Sequence, residues 1–469
     1  MEPPHDRAMS TVTPTAASLR SSAVPLPRAW GVRARDVSAL LVANAVFIVL
    51  MWVRHGGLQE LAARGGFFTA AGQLAALEGT YLALIQLVLM GRSPWLDEAV
   101  GPDRLAFWHR WLGFGTVWLI GGHLVFTLIG WATSDGRDVI AELVDLVTNF
   151  DFVLWALIGF VLFVLVGVTS LRAIRRRVSY ELWYWLHWLA YAGIAMAFLH
   201  QLFVGVDFTH DVVATVYWVG LYVIAVGLIL VFRFGQPILL NRRHALRVAA
   251  VVPEAKGVTS VYLAGQDLDQ LAARSGQYFT LRLLTRRDWW RAHPYSLSSA
   301  PNGQWLRFTV KALGDDSSRI ADVKVGTRVL LEGPYGILTG LRRTRPKVTL
   351  IAGGIGISPI RALLESLAGG PGDITLLYRA STAEDLVFRE ELDVLAAQRG
   401  AVIHYLVGRR GIDVPPDPFG PTVIRRLVPD IAQQDVYLCG PTELMLRTER
   451  ALRDLGVPES QVHAERFAY

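Results

Sequence analysis

The sequence predicts a membrane all-α bundle of six helices, followed by an antiparallel β-barrel domain and an α/β domain built on a parallel sheet. Three observations carry this reading. Six apolar stretches of about 18–23 residues fill the first half, each near the roughly 20 residues that cross hydrocarbon as a helix. Arginines crowd the same side of alternate stretches. Beyond residue 240 the apolar pattern shortens into β-rich runs and then alternates with amphipathic helices.

Composition sets the frame. Of 469 residues, 52% are hydrophobic and 18% charged, too apolar for an ordinary soluble protein and too charged for a wholly embedded one. A single cysteine, Cys439, excludes a disulfide framework and a four-thiolate iron–sulfur cluster. The net charge of +6 is modest and gathers at helix ends, so it reads as membrane topology and not as a nucleic-acid surface.

The apolar stretches lie at 36–53, 73–90, 109–131, 152–171, 183–203 and 212–234. One side of the membrane receives Arg28, Arg33 and Arg35, then Arg92, Arg104 and Arg110. The same side receives Arg172, Arg175, Arg176 and Arg177, then Arg233, Arg242 and Arg243. The other side has only Arg54, Arg64 and Arg137 among acidic loops. The positive-inside rule puts both termini, and everything after the last span, in the cytoplasm, in a plasma (inner) membrane protein. Residues 1–35 read as a disordered tail rich in Pro, Ser, Thr and Ala, and 36–240 as the membrane domain. Residues 241–343 follow as a β domain and 344–469 as an α/β domain, with strands such as KVTLIAGG and DITLLYRA alternating with helices.

Histidines inside an apolar bundle cost desolvation and call for a purpose. The third span carries His109 and His123, fourteen residues apart, and the fifth His187 and His200, thirteen apart. Fourteen helical residues rise about 21 Å, so the four imidazoles form one pair near each face of the membrane. Two neutral imidazoles facing each other suit axial ligation of haem iron from both sides. Fourteen residues return within about 40° of the starting face of a helix, whereas thirteen miss it by about 140°. The fifth span is therefore expected to bulge or kink around Ala190–Gly193. Glu78 is expected at the depth of the outer pair, and Arg54 with His55 forms a candidate anion attractor at the outer face.

These paired spacings on six spans, with the segments that follow, resemble the ferric reductase and NADPH oxidase superfamily in its bacterial form, over about residues 36–469. The resemblance implies His109 and His187 on an inner b-type haem, and His123 and His200 on an outer one. The eukaryotic oxidases often have a second histidine four residues after the outer ligand of the third span. Here that position is Thr127.

HPYSLSSAP (293–301) follows the strand GQYFTLRL. It resembles the flavin signature of the ferredoxin–NADP reductase superfamily, with His293 in place of the usual leading Arg. The resemblance places Tyr295 and Ser296 at the isoalloxazine of FAD, with His293 and Pro294 around it. VKALGDDSSRI (310–320) is similar to the family's pyrophosphate loop, which implicates Lys311, Ser317 and Ser318. EGPYG (332–336) is similar to the turn that closes the flavin domain.

AGGIGISPI (352–360) follows a strand and opens a helix. Gly353, Gly354 and Gly356 let backbone approach a pyrophosphate, and Ser358 and Pro359 begin the helix whose N-terminus would face it. CGPTELM (439–445) resembles the second nicotinamide-nucleotide motif, giving Cys439, Gly440 and Pro441. Cys439 is expected beside the nicotinamide without acting as a nucleophile. Arg379, Arg409 and Arg410 are candidates for a 2′-phosphate, which distinguishes NADPH from NADH. Phe467, or alternatively Tyr469, is the aromatic that would cover the flavin.

The implied function is a transmembrane oxidoreductase using FAD, two haem b groups and NADPH or NADH. Its acceptor would be dioxygen, giving superoxide, or a ferric chelate. A haem-free transporter or sensor with an appended flavin reductase is the alternative from another class. Membrane lipid is an expected partner, nucleic acid is not, and no obligatory protein partner is expected.

Overall fold

The computed structural model describes residues 33–209 and 211–465 and divides into two units that meet between Gln236 and Pro237. In the first unit, six helices are long and apolar enough to cross a membrane. They are α1 (Ala34–Arg54), α2 (Gly66–Leu89), α3 (Pro102–Asp135), α4 (Val153–Ser170), α5 (Tyr180–Val204) and α6 (Val212–Leu228). After α6 the chain winds through a π-helical stretch, Ile229–Gly235, and stays helical to His244. The boundary expected at residue 240 thus falls inside a continuous helix.

Glycine sets the packing of two antiparallel pairs. Between α2 and α3, a Cβ on Gly72 would lie 2.6 Å from Thr127 Oγ1, and one on Gly130 would lie 2.5 Å from Thr69 Oγ1. Between α4 and α5, a Cβ on Gly159 would lie 2.8 Å from the Gly193 carbonyl. Small residues let backbones touch where apolar burial gives no drive between helices. Gly193 therefore serves close approach. Helix α5 is α-helical throughout, without the bulge or different winding expected at Ala190–Gly193. Imidazoles swing on two torsions, so side-chain reach takes up part of the angular offset.

The second unit contains two sheets of three strands. One has the order β1 (Arg247–Ala255), β2 (Val258–Ala264), β5 (Trp305–Lys311). The other has the order β4 (His293–Ser296), β3 (Tyr278–Leu283), β6 (Val329–Tyr335). Isolated bridges Arg247–Arg328 and Leu297–Phe308 join the sheets at both seams, which makes the expected antiparallel barrel. Its core is Leu263, Phe279, Leu297, Phe308 and Leu331, all fully buried.

A five-stranded parallel sheet follows, in the order β11 (Val462–Ala464), β10 (Asp435–Cys439), β7 (Val348–Gly353), β8 (Ile374–Ala380), β9 (Val402–Val407). The chain leaves β7 toward β8 and β9 on one side, then returns to lay β10 and β11 on the other. The strand order thus reverses between β7 and β10, and open α/β sheets bind ligands at such a switch point, beyond the carboxyl ends of the strands. Helices α7 (Ile357–Ser366), α8 (Arg389–Arg399) and α9 (Thr442–Asp454) cover the sheet.

Candidate functional site

In the membrane unit the four histidines meet in two pairs. The His109 and His187 ring centroids are 5.8 Å apart, and those of His123 and His200 are 6.5 Å apart. Metal–imidazole bonds of about 2.0 Å, with each ring centroid about 1.1 Å behind its nitrogen, put two axial rings roughly 6.3 Å apart. Both pairs fit that span. The tautomer of one imidazole is also determined. His123 Nδ1 lies 3.0 Å from the Gly72 carbonyl and 3.1 Å from the Thr127 hydroxyl. A carbonyl only accepts, so Nδ1 carries the proton and Nε2 presents its lone pair.

At the other level the Gln86 side-chain amide lies against His109 Nδ1 and the backbone of Gly113. Gly72 and Gln86 are separated on α2 by the same fourteen residues as His123 and His109 on α3. One helix therefore contacts both imidazoles of its antiparallel neighbour, through a carbonyl acceptor at His123 and a side-chain amide at His109. On α5, Nδ1 of His187 is buried without a hydrogen-bond partner among the described residues. Trp183 packs its ring 5.0 Å from that of His187.

One expectation about a polar residue holds and another needs correction. Gly72 and Gly79 on α2 face Thr127 and Leu119–Ile120 on α3, so Glu78 stands near the His123 level as expected, and its Oε1 accepts no hydrogen bond among the described residues. His55 is not available to an anion. Its Nδ1 lies 3.1 Å from Asp207 Oδ1 and its Nε2 3.0 Å from Asp211 Oδ2, with Arg54 3.8 Å from the same Asp211 oxygen. Two carboxylates neutralise this end of the bundle. The hydrogen bond from His55 holds Asp211 below the usual carboxylate range, whereas burial pushes Asp207 above it.

In the second unit the flavin-type residues line one edge of the barrel. His293, Pro294, Tyr295 and Ser296 form β4, paired with β3 through Phe279–Tyr295 and Leu281–His293. Lys311 ends β5 with its amine 4.0 Å from Asp385. The next loop is self-supporting. Ser317 Oγ accepts from Leu313 N at 2.9 Å and Gly314 N at 3.0 Å, and Ser318 Oγ donates to the Gly314 carbonyl at 2.8 Å. Both hydroxyls shape the turn.

The two glycine motifs converge at the switch point. A Cβ on Gly356 would lie 2.4 Å from the Cys439 carbonyl and 2.8 Å from Gly440 Cα, and one on Gly353 would lie 3.3 Å from Pro441. Gly354 has φ +54°. Ser358 and Pro359 open α7, and the buried Ser358 hydroxyl has no partner among the described residues. An orphaned donor beside glycine backbone at a helix start fits a phosphate ligand. Cys439 is 1% exposed, and burial, aided by the Glu465 charge, pushes its thiol up. It stays protonated and is no nucleophile.

Glu465 was not singled out in the sequence. It is buried, and its carboxylate stands 2.6–2.7 Å from where a Cβ on Gly336 would be. Gly336, at φ +95°, is the last residue of EGPYG, so a glycine there makes room for a carboxylate from the chain end. Phe467 and Tyr469 lie outside the described residues.

The three candidate arginines separate into two kinds. Arg379 is buried and donates to the Leu406 carbonyl at 3.0 Å and the Gly408 carbonyl at 2.5 Å. Its fork holds the end of β9, and burial with nearby Arg410 lowers its pKa. Arg409 and Arg410 are exposed, with Arg409 Nε 3.7 Å from Asp413.

A charged network unforeseen in the sequence ties the barrel to the parallel-sheet domain. Arg307 donates to both Glu391 oxygens at 3.0 and 3.2 Å and to the Ser298 carbonyl at 2.7 Å. Arg361 reaches Glu391 and Glu365, and Glu365 accepts from Ala300 N at 2.6 Å. Ser298 and Ala300 belong to HPYSLSSAP, so the network fixes the flavin-type strand against helices α7 and α8.

Three family descriptions match the chain in series. They are ferric reductase like transmembrane component over residues 75–198, FAD-binding domain over 255–339, and oxidoreductase NAD-binding domain over 350–450. In this order the three domains match a ferric reductase/NADPH oxidase-like fusion. The chain is an oxidoreductase in which a ferric-reductase-like membrane domain precedes a flavin reductase module. The ferredoxin reductase component of a 3-ketosteroid-9-alpha-monooxygenase from Rhodococcus rhodochrous is 30% identical over 48% of this chain and 66% of its own. A flavohemoprotein from Vibrio cholerae is 32% identical over 46% of this chain and 56% of its own. The chain thus spans less than two thirds of these relatives. A solved FAD/NAD-binding domain of a nitric oxide dioxygenase from Vibrio cholerae, 28% identical, aligns with a TM-score of 0.41 over 48% of this chain and 99% of that one.

Proposed function

We propose that this oxidoreductase carries electrons from cytosolic NADPH, through FAD and two b-type haems, to an acceptor on the far side of the plasma (inner) membrane. Dioxygen, giving superoxide, is the acceptor we favour, and a ferric chelate is the alternative. The supporting observation is the pair of imidazole pairs at two levels, each at the span of axial ligation. His109 with His187 would hold one haem, and His123 with His200 the other. Bound flavin takes a two-electron hydride and releases single electrons, the unit that haem iron accepts.

The chain's own residues have definable parts. Gly72 and Thr127 keep the proton of His123 on Nδ1, leaving Nε2 for iron. With His109 and His187, and His123 and His200, each pair committed to one haem, the acceptor would take its electron without binding the iron, so selectivity for dioxygen over a chelate would be low. In the module, Gly353, Gly354, Gly356 and Ser358 would cradle the nucleotide pyrophosphate, and Tyr295 and Ser296 would flank the flavin. Buried Cys439 and Glu465 give the end of β10 a neutral thiol and a carboxylate. The arginine-rich loops support a cytoplasmic side for the module. From a negative interior each departing electron gains about 2.3 kcal/mol per 100 mV.

The test is a haem count by absorbance on detergent-purified protein. His123→Leu is expected to lower haem from two to one per chain with flavin retained. An unchanged spectrum would mean that His123 holds no iron and would favour a haem-free membrane domain.

A further inference from the structure

The loop between β3 and β4, residues 284–292, has a composition that neither the barrel nor the cofactor sites require. Its sequence is LTRRDWWRA. Trp289 is 59% exposed, Trp290 36% and Leu284 38%, and Arg286 and Arg287 are exposed beside them. Adjacent tryptophans on a turn contribute nothing to the core. Contiguous exposed apolar surface marks a docking site.

The loop is built to present these groups. Asp288 N donates to Thr285 Oγ1 at 3.0 Å, and that hydroxyl returns a bond of 3.0 Å to Asp288 Oδ2. Arg291 N donates to the Asp288 carbonyl at 2.9 Å, closing the turn. The other Asp288 oxygen accepts from Arg319 at 3.1 Å. The one acid in the loop is thereby neutralised from within, and arginine sets the outward charge. The Arg291 guanidinium lies 4.7 Å over the Trp290 ring, a stacking that keeps a cation at the aromatic surface.

Tryptophan beside arginine is the composition of membrane-interface anchors. The indole settles at headgroup level, and the cations are drawn to anionic lipid. Six helices of the other unit are long and apolar enough to cross a membrane, so a lipid surface would be tethered to the loop by the chain itself. We propose that the Arg286–Arg291 loop seats Trp289 and Trp290 in an anionic leaflet of the membrane that the same chain spans. This gives the reductase module a second attachment besides its covalent link to the last helix.

Cys439 is the only cysteine and is buried, so Trp289→Cys in the full chain offers one reactive thiol for an environment-sensitive fluorophore. The labelled protein is placed in nanodiscs of neutral lipid and of lipid containing phosphatidylserine. A quencher attached to the lipid chains is compared with one dissolved in water. Quenching from the lipid is expected to rise at least about twofold with phosphatidylserine, and to fall back when Arg286 and Arg287 are both changed to Glu. A label at exposed Ile412, through Ile412→Cys, should report water in both lipids. Quenching at 289 mainly from water would overturn the proposal. So would shielding from both quenchers, which would mean burial against protein, and so would lipid quenching indifferent to lipid charge.

Discussion

Glu391 is where the interdomain network is most exposed to a single change. It accepts both Arg307 nitrogens and is also paired with Arg361, whose side chains are only 5% and 6% exposed. Glu391→Ala leaves two buried guanidiniums with Glu365 as their remaining acid, and each felt the other's charge already. Breaking a buried ion pair from one side costs about 3–5 kcal/mol, because the stranded charge stays desolvated. Glu391 is itself 33% exposed, so water enters the gap and the lower end, about 3 kcal/mol, applies. For a unit of roughly 230 residues the melting temperature moves about 2–4 °C per kcal/mol, which gives a fall of about 6–12 °C. The assay is thermal release of flavin fluorescence, which reports this unit within the whole protein. Glu391→Gln keeps an acceptor and should lose about half as much. Flavin reduction by NADPH should also slow, since Arg307, which holds the Ser298 carbonyl, loses the acid that fixes it. A fall below about 2 °C for Glu391→Ala would refute the reasoning, because it would mean the arginines find other partners at little cost.

Three more outcomes follow from the same geometry. Gly72→Val places carbon about where Thr127 Oγ1 now stands, 2.6 Å from an ideal Cβ. It should therefore lose one haem per chain while the flavin content holds, and full haem retention would contradict the packing of α2 on α3. Replacing Arg409 and Arg410 with Ser should cut the preference for NADPH over NADH in kcat/KM by about tenfold or more, the worth of a charge-assisted hydrogen bond. Arg379→Ser should instead lower the melting temperature, and the reverse pattern would reassign the roles. Asp97, in the short helix Pro94–Val100, has its pKa pushed up to about 6 by burial, against the pull of Arg92. A raised carboxylate favours the folded state while protonated, so its contribution is full below the unfolded value of about 3.8 and is lost as pH rises through about 6. Asp97→Asn should accordingly raise the melting temperature at pH 7 with no gain near pH 4, and an equal gain at both would remove burial as the cause.

Periodicity made most of the fold legible. Apolar runs of spanning length gave the six helices, and short β-rich runs gave the barrel and the parallel sheet. The histidine pairs were legible because spacing along a helix fixes height in the membrane. Spacing fixes angle less firmly, and the bulge expected in α5 came from treating an imidazole as though it ended at its Cα. Contacts between distant segments were not legible. Arg307 and Glu391 are 84 residues apart, and nothing local marks them as partners. The same holds for Glu465 against Gly336, and for Asp207 and Asp211 closing on His55. Arg379 looked like a phosphate ligand because its place at a strand end was visible, whereas the carbonyls that occupy its fork were not.

The central claim is that one chain conducts from nucleotide to haem across the membrane, and an anaerobic absorbance spectrum before and after NADPH tests it most directly. The account predicts that flavin absorbance bleaches while bands of low-spin ferrous haem grow, with air or a ferric chelate then reversing both. Bleached flavin without haem bands would leave the four histidines without iron and would contradict the account.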